Sequence, residues 1–272
     1  MATTRVLITV KTYPTLSNKY DELVCTAGLT EAGQWIRIYP IQYRQLDYNS
    51  QYKKYDWVEL DLIRNKADFR AESYRPLTLD IRPKVIAHID YKPNWSERKA
   101  IVLPTAQTNL GKIIAEAKNP QIRTSLATFK PTRIIDFDWK GVDREWSSNK
   151  TNSMRQLNLF EQRGTLLTMI RKIPYKFRYT FIDDNGQLSR VMIEDWEIGA
   201  LYWNCLQRAD GDEKEACEKV GQRYFDEFVH KKDLHFFLGT TQAHHLRARN
   251  PFIIIGTFHP PKEKINPQLS LF

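Results

Sequence analysis

The segment RVLITVKT, residues 5–12, places Val6, Ile8 and Val10 at every second position. An apolar period of two is typical of a β-strand that buries one face. Comparable short β-rich segments recur at 22–27, 35–39, 57–62 and 84–89. Gly, Pro, Asn and Asp separate these segments, and few helical stretches occur before residue 105. This spacing predicts a small OB-like β-barrel rather than a βαβ unit.

The second half of the chain alternates helical and strand patterns. Apolar periodicity predicts a helix over 107–118, a short helix over 121–128 and a strand over 134–137. Asn185-Gly186 suits a tight turn, which predicts a β-hairpin with strands over 177–182 and 188–193. The remaining patterns predict helices over 194–206 and 213–230 and strands over 234–238 and 252–256.

The polar, small-residue segment 146–153 is the best domain boundary that the sequence offers. The predicted fold class is α+β, with an N-terminal small β-barrel (OB-like) domain over 1–145 that includes helices near 107–128. A linker over 146–165 leads to a C-terminal α+β domain over 166–261, built from a hairpin, two helices and two strands. A charged and then polar tail follows over 262–272.

The charge balance favours a polyanionic partner. The chain carries 41 Lys and Arg against 32 Asp and Glu, a formal net charge of +9, and the cations are spread along its length. It has no run of about 18 apolar residues to span a bilayer, and its first residues lack the apolar core of a signal peptide. Three scattered cysteines suit a reducing compartment. We therefore expect a cytoplasmic protein with nucleic acid, DNA above all, as partner and no membrane partner.

The chain ends in Gln268-Leu269-Ser270-Leu271-Phe272. This pentapeptide resembles, at every position, the motif Gln-Leu-Ser/Asp-Leu-Phe by which bacterial polymerases and repair factors hold the β sliding clamp. The resemblance implies that Leu and Phe enter a hydrophobic cleft of the clamp while Gln fixes the direction of the peptide. A position after Pro260-Pro261 and a polar stretch suits an exposed peptide, although a last strand packed on the core is the alternative.

A second copy of the pentapeptide lies inside the chain, at Gln156-Leu157-Asn158-Leu159-Phe160. Asn158 stands where the motif prefers Ser or Asp. The segment is either a second clamp-binding peptide or one packed face of a short helix. If both copies bind, the dimeric clamp would be held at two points, and the tether would raise avidity by about 10²–10⁴.

The segments 24–29 (Val-Cys-Thr-Ala-Gly-Leu) and 33–40 (Gly-Gln-Trp-Ile-Arg-Ile-Tyr-Pro) resemble proteins with a dual OB-fold domain, in which a Cys-x-Ala-Gly strand precedes a Trp-Ile-Arg strand. Alternation would send Trp35, Arg37 and Tyr39 to one exposed face, where aromatic rings and cations could stack bases and contact phosphates. A core role for Trp35 is the alternative. The candidate nucleic-acid contacts are Trp35, Arg37, Tyr39, Tyr43, Arg44, Lys53, Lys54, Arg247 and Arg249.

Catalysis has weaker support from the sequence. Acidic residues at the start of the helix over 194–206 stabilise its dipole without any chemistry. With nearby histidines they could hold Mg²⁺ or Mn²⁺ for phosphodiester cleavage, although no spacing matches a metal signature. The catalytic candidates are Glu194, Asp195, Glu197, Asp233 and His235. The leading expectation is a non-enzymatic DNA-binding factor without a cofactor, recruited to the clamp in replication, repair or anti-phage defence. A clamp-tethered metal-dependent nuclease and an RNA-binding barrel are the alternatives.

Overall fold

The barrel strands follow the alternating segments of the N-terminal sequence. The structure is a computed structural model that describes residues 3–17, 21–78, 80–147 and 170–263. In chain order the N-terminal strands are β1 (Thr3–Lys11), β2 (Thr15–Ser17), β3 (Asp21–Leu29), β4 (Trp35–Ile41), β5 (Asp56–Arg64), β6 (Ser73–Pro76) and β7 (Lys84–His88). Each of the five predicted N-terminal strands is confirmed, and β2 and β6 are additional short strands.

Five of these strands close into a barrel among the described residues. The hydrogen-bonded order is β1-β3-β4-β6-β5, and β5 pairs back to β1. All these pairs are antiparallel except β4 with β6, which is parallel. In chain order the first four barrel strands are β1, β3, β4 and β5. Because β5 returns to lie beside β1, these four strands have the Greek-key order. The predicted OB-like barrel is confirmed, with β2 added to β3 and β7 added to β5.

Strand β1 is buried on both faces, which explains its dense apolar sequence. Val6 and Ile8 point into the barrel, where they pack in one cluster with residues of β3, β4 and β5. Leu7 and Val10 belong to a second cluster that includes Phe237 of the C-terminal half. Val10 lies apart from Val6 and Ile8 because the register of β1 against β3 shifts between Ile8 and Val10. The barrel is therefore covered on this side by the rest of the chain.

The remaining strands form two further sheets. They are β8 (Ala106–Gln107), β9 (Leu126–Phe129), β10 (Arg133–Gly141), β11 (Tyr175–Ile182), β12 (Leu188–Met192), β13 (His235–Thr240) and β14 (Phe252–Phe258). One sheet has the order β14-β13-β9-β8 and the other the order β10-β11-β12. Strands from 106–141 thus pair with strands from 175–258, whereas the sequence pattern grouped 106–141 with the barrel. The helix predicted over 121–128 is wrong, because Leu126–Phe129 is a buried strand paired with β13.

The helices pack on these sheets. They are α1 (Ser96–Val102), α2 (Leu110–Lys118), α3 (Trp196–Arg208), α4 (Glu213–Gly221) and, after a π-helical stretch over Gln222–Glu227, α5 (Phe228–Lys231). Helix α1 was not predicted. The main C-terminal core lies between α2, α3, α4 and the strands that they cover. No helix in the described parts of the chain is long and apolar enough to cross a membrane.

Candidate functional site

The predicted aromatic and basic face of β4 is buried against the C-terminal sheet. Arg37 is only 2% exposed. Its Nη1 donates to Ser125 Oγ at 2.6 Å, and its Nη2 donates to the carbonyl oxygens of Ser125 and Thr240 at 3.0 and 3.3 Å. The Trp35 ring packs edge-on against Phe237, with centroids 5.5 Å apart. The prediction that Trp35 and Arg37 face solvent and nucleic acid is therefore wrong.

The other members of the predicted cluster do not form one continuous surface either. Tyr43 is buried, and its hydroxyl donates to the carbonyl oxygen of Tyr52 at 2.6 Å. Arg44 forms an ion pair with Glu22 at 2.6 Å. Tyr39 is 37% exposed. Alternation assigns side chains to a face correctly, but it does not say which other part of the chain covers that face.

A charged cluster occupies the junction between the barrel and helix α3. Lys54 Nζ donates to Glu197 Oε2 and to the carbonyl oxygen of Thr257, both at 2.9 Å. Asp195 caps α3 by accepting from the Glu197 backbone N–H at 3.3 Å. Asp195 is 2% exposed, and its Oδ2 has no hydrogen-bond partner among the described residues. Lys53, by contrast, is exposed.

Burial shifts the pKa values of this junction cluster. It raises the pKa of Asp195 to about 7 and lowers that of Lys11 to about 8. Burial also raises the pKa of Glu197, but the Lys54 ammonium outweighs it, so that pKa lies below its usual value. Lys11 Nζ donates to Tyr43 Oη and to the Tyr52 carbonyl, both at 3.1 Å. Lys11 carries no local signal in the sequence, because its acidic neighbours Asp56, Asp195 and Glu197 come from β5 and from the start of α3.

The predicted catalytic residues do not converge on one site. Asp233 forms an ion pair with Lys130, and His235 is 4% exposed, with its Nδ1 3.0 Å from the Asp233 carbonyl oxygen. Burial lowers the pKa of His235 and raises that of Glu194. Glu197 pairs with Lys54 instead, and Asp195 caps α3. Across the four described ranges, no group of three His, Cys, Asp or Glu side chains could hold a metal ion.

The loop over 241–250 divides into a buried histidine and two exposed arginines. His245 is fully buried. Its Nε2 lies 2.8 Å from the Ala117 carbonyl oxygen and donates to it, so Nδ1 accepts from Thr240 Oγ1 at 2.7 Å. Arg247 and Arg249 lie on the surface of the same loop. These two predicted nucleic-acid contacts are therefore accessible, and His245 holds the loop that carries them.

The outer face of the sheet β10-β11-β12 carries more cations than acids, and we call it the basic face. Lys140 lies directly opposite Lys176, a like-charge pair that is unfavourable without an anion. Asp138 accepts from Arg178 Nε at 2.8 Å and from Arg190 Nε at 3.0 Å. Both lysines are exposed, and neither has an ion-pair partner among the described residues. The basic face is defined by Lys140, Lys176, Arg178 and Arg190, with Asp136 and Asp138 as its acids.

The two clamp-like segments, Gln156–Phe160 and Gln268–Phe272, lie outside the described residues. Residues 105–272 match a family model described as a domain of unknown function, DUF8757. The chain belongs to the DUF8757 family. Residues 2–104 match a second model of the same description, DUF8758. No curated protein matches the chain.

The DUF8757 region begins at the point where the strand pairing changes. Its first strand is β8, which pairs with β9 and not with the barrel. The DUF8758 region holds the whole closed barrel together with α1. The basic face, the loop over 241–250 and both clamp-like segments all fall within the DUF8757 region. The exposed candidate contacts thus lie mostly in the C-terminal family region.

Proposed function

We propose that this protein is a DNA-binding accessory factor that is recruited to the bacterial β sliding clamp and acts in replication, repair or genome defence. The observation that carries the proposal is Gln268-Leu269-Ser270-Leu271-Phe272, which matches the clamp-binding motif at every position. The internal copy at 156–160 provides a second contact. Two peptides on one chain would make the second contact intramolecular and strengthen binding by about 10²–10⁴.

The basic face and the exposed arginines support DNA as the partner. The formal net charge of +9 gives an overall attraction to phosphates. Lys140 and Lys176 would each neutralise a phosphate, and Arg247 and Arg249 offer two further contacts. Each phosphate contact releases bound counterions, so affinity for DNA would fall steeply as salt rises.

Clamp binding is tested with immobilised clamp and the full chain. Phe272→Ala should weaken binding strongly, because the Phe side chain fills the cleft, and Phe160→Ala should weaken it further in the double variant. Ser270→Asp is the matched control, since the motif accepts either residue there. Failure of the wild-type chain to bind, or a double variant that binds as tightly as wild type, would overturn the recruitment.

DNA binding is tested separately by fluorescence anisotropy over a range of salt concentrations. Replacing both Lys140 and Lys176 with Gln should weaken binding and reduce the slope of log K against log salt by about 1.4 for a single strand and about 1.8 for a duplex. Replacing Lys214 and Lys219 with Gln removes the same charge from the exposed side of α4 and should leave the slope close to wild type. Equal effects of the two double variants would reject the basic face as the contact surface.

Cleavage and RNA preference are measured with the same material. Labelled DNA is incubated with Mg²⁺ or Mn²⁺, and intact DNA is the expected result for an accessory factor. If the wild-type protein cleaves DNA and Glu194→Ala or His235→Ala abolishes the cleavage, the protein is instead a clamp-tethered metal-dependent nuclease. If RNA outcompetes DNA for the protein and the clamp has no effect on this binding, the protein is instead an RNA-binding barrel.

A further inference from the structure

A cavity of about 560 Å³ opens beside the basic face, between the start of α2, the β11–β12 turn and the end of the loop over 241–250. This volume lies in the ~300–1,000 Å³ range of small-ligand pockets, so the cavity is large enough to hold one nucleotide. Its lining includes Gly111, Gln187, Leu188, Arg190, Arg249 and Asn250.

The cavity lining combines cations, amides and apolar surface without a carboxylate. Arg249 is exposed, and its side chain has no ion-pair partner in the described ranges. Its carbonyl oxygen accepts from Lys118 Nζ at 3.2 Å, so a further cation lies beside Arg249. Leu188 is 63% exposed at the cavity wall, an unusual position for a large apolar side chain.

These groups match the parts of a nucleotide. Guanidinium groups bind phosphate oxygens, and apolar side chains pack against the face of a base. The side-chain amides of Gln187 and Asn250 each offer donors to a base edge, although Asn250 Oδ1 already accepts from the Phe252 backbone N–H at 3.0 Å. A base in a duplex is stacked and paired, so only an unpaired strand could place a base here.

The basic face continues the path of such a strand. Arg190 at the cavity and Arg178 on β11 both bind Asp138, so their guanidinium groups are adjacent. Lys176 lies two residues before Arg178 on the same face of β11, opposite Lys140 of β10. Cations therefore extend from the cavity across all three strands of the sheet.

We propose that this cavity binds one nucleotide of single-stranded DNA, with the adjoining phosphates lying along the basic face. The inference rests on the proposed function in taking DNA as the partner, and it deepens that function by naming the strand state. Leu188 packs against the base, the two amides contact its edge, and Arg190 and Arg249 bind the phosphate.

The test uses the full chain and fluorescein-labelled oligo-dT, with a duplex of equal length that contains the same strand. Gly111→Leu fills the cavity and removes no charge. The new Cβ can be accommodated, because within 4 Å it would meet only the Asn109 and Gln187 side-chain oxygens, at 3.4 and 3.5 Å. Leu is also a better helix former than Gly, so the variant should fold. We expect wild type to prefer the single strand and Gly111→Leu to bind it about tenfold more weakly, with duplex binding nearly unchanged.

Arg249→Gln should weaken single-strand binding about tenfold, whereas Arg247→Gln, a matched control in the same loop, should have a smaller effect. Equal binding of single strand and duplex by wild type, or unchanged single-strand binding by Gly111→Leu, would overturn the cavity assignment. A preference for oligo-U over oligo-dT would overturn the choice of DNA.

Clamp binding of each variant is measured in parallel. Intact clamp binding without single-strand preference rejects the cavity alone. Loss of clamp binding with normal single-strand binding rejects the recruitment alone, and absence of all nucleic-acid binding rejects both DNA proposals.

Discussion

Replacing Arg37 with Met tests whether this side chain joins the two halves of the protein or contacts DNA. Met keeps much of the volume but removes the three hydrogen bonds to Ser125 and Thr240. All three acceptors keep another partner. Arg70 also donates to the Thr240 carbonyl, and the Ser125 hydroxyl also binds Glu72. The Ser125 carbonyl also accepts from the Thr240 backbone N–H at 3.0 Å.

The expected cost follows from these contacts. Bonds from a charged donor contribute about 1.5–3 kcal/mol each, and the loss of all three is partly offset because every acceptor keeps another partner. Against this, Met avoids the burial of a charge, an effect that also lowers the pKa of Arg37. We therefore expect Arg37→Met to lower the free energy of unfolding by about 2–4 kcal/mol, out of a typical total of about 5–15 kcal/mol.

The assay is urea unfolding followed by tryptophan fluorescence, with Arg37→Lys as the variant that keeps the charge but not the forked geometry. DNA binding is then measured by anisotropy at a temperature where both proteins are folded. The folded Arg37→Met variant should bind DNA like wild type. A large loss of DNA affinity together with an unchanged free energy of unfolding would refute the burial argument and restore β4 as a binding face.

Three further predictions concern the junction and the helices. Asp195→Asn keeps the N-cap, and its gain in stability over wild type should be larger at pH 8 than at pH 5. Burial raises the pKa of Asp195 to about 7, so its stability contribution is fully present only below the usual Asp pKa and is lost progressively as pH rises to about 7. Urea unfolding at both pH values measures this, and an equal gain at each would contradict it. His259→Gln should lose less stability than wild type between pH 7 and pH 4. Burial lowers the pKa of His259 to about 3, so its stability contribution is lost as pH falls below the usual His pKa. Parallel curves of unfolding free energy against pH for the two proteins would refute this. Gly199→Ala should destabilise the protein by about 1–3 kcal/mol, because the new Cβ would lie 2.2 Å from the Tyr13 ring. The control Gly221→Ala, whose Cβ would have its nearest neighbour at 3.5 Å, should be neutral or slightly stabilising, and thermal unfolding measures both.

The barrel could be predicted because its signal is local. Alternation in residues 5–12 and in the segments after it identifies strands, and the punctuation between them favours a small barrel. The wrong helix over 121–128 shows the limit of such signals. Leu126–Phe129 is a short apolar run that suits either a buried helix or a buried strand, and pairing with distant β13 decides between them.

The candidate site was less predictable, because it depends on what covers each face. Trp35 and Arg37 have the composition of a base-stacking surface, yet Phe237 and Ser125, from much later in the chain, bury them. The like-charge pair of Lys140 and Lys176 could not be found in the sequence either, since the register that sets them opposite each other is a property of the folded sheet. Among the predicted contacts, Arg247, Arg249, Lys53 and Tyr39 are accessible, and the two arginines lie in one loop beside a buried histidine.

The buried β4 face determines where a nucleic acid could bind. OB barrels commonly bind ligands on the outer face of their second and third strands, which are β3 and β4 in this barrel. Here that face packs on the C-terminal sheet through Trp35 and Arg37, and Arg70, from the loop between β5 and β6, also donates to the Thr240 carbonyl. A ligand on that face would have to separate buried contacts. The barrel is better suited to support the C-terminal region, where the basic face, the cavity and the clamp-like peptides all lie, so variants of that region should change binding while variants of β4 change stability.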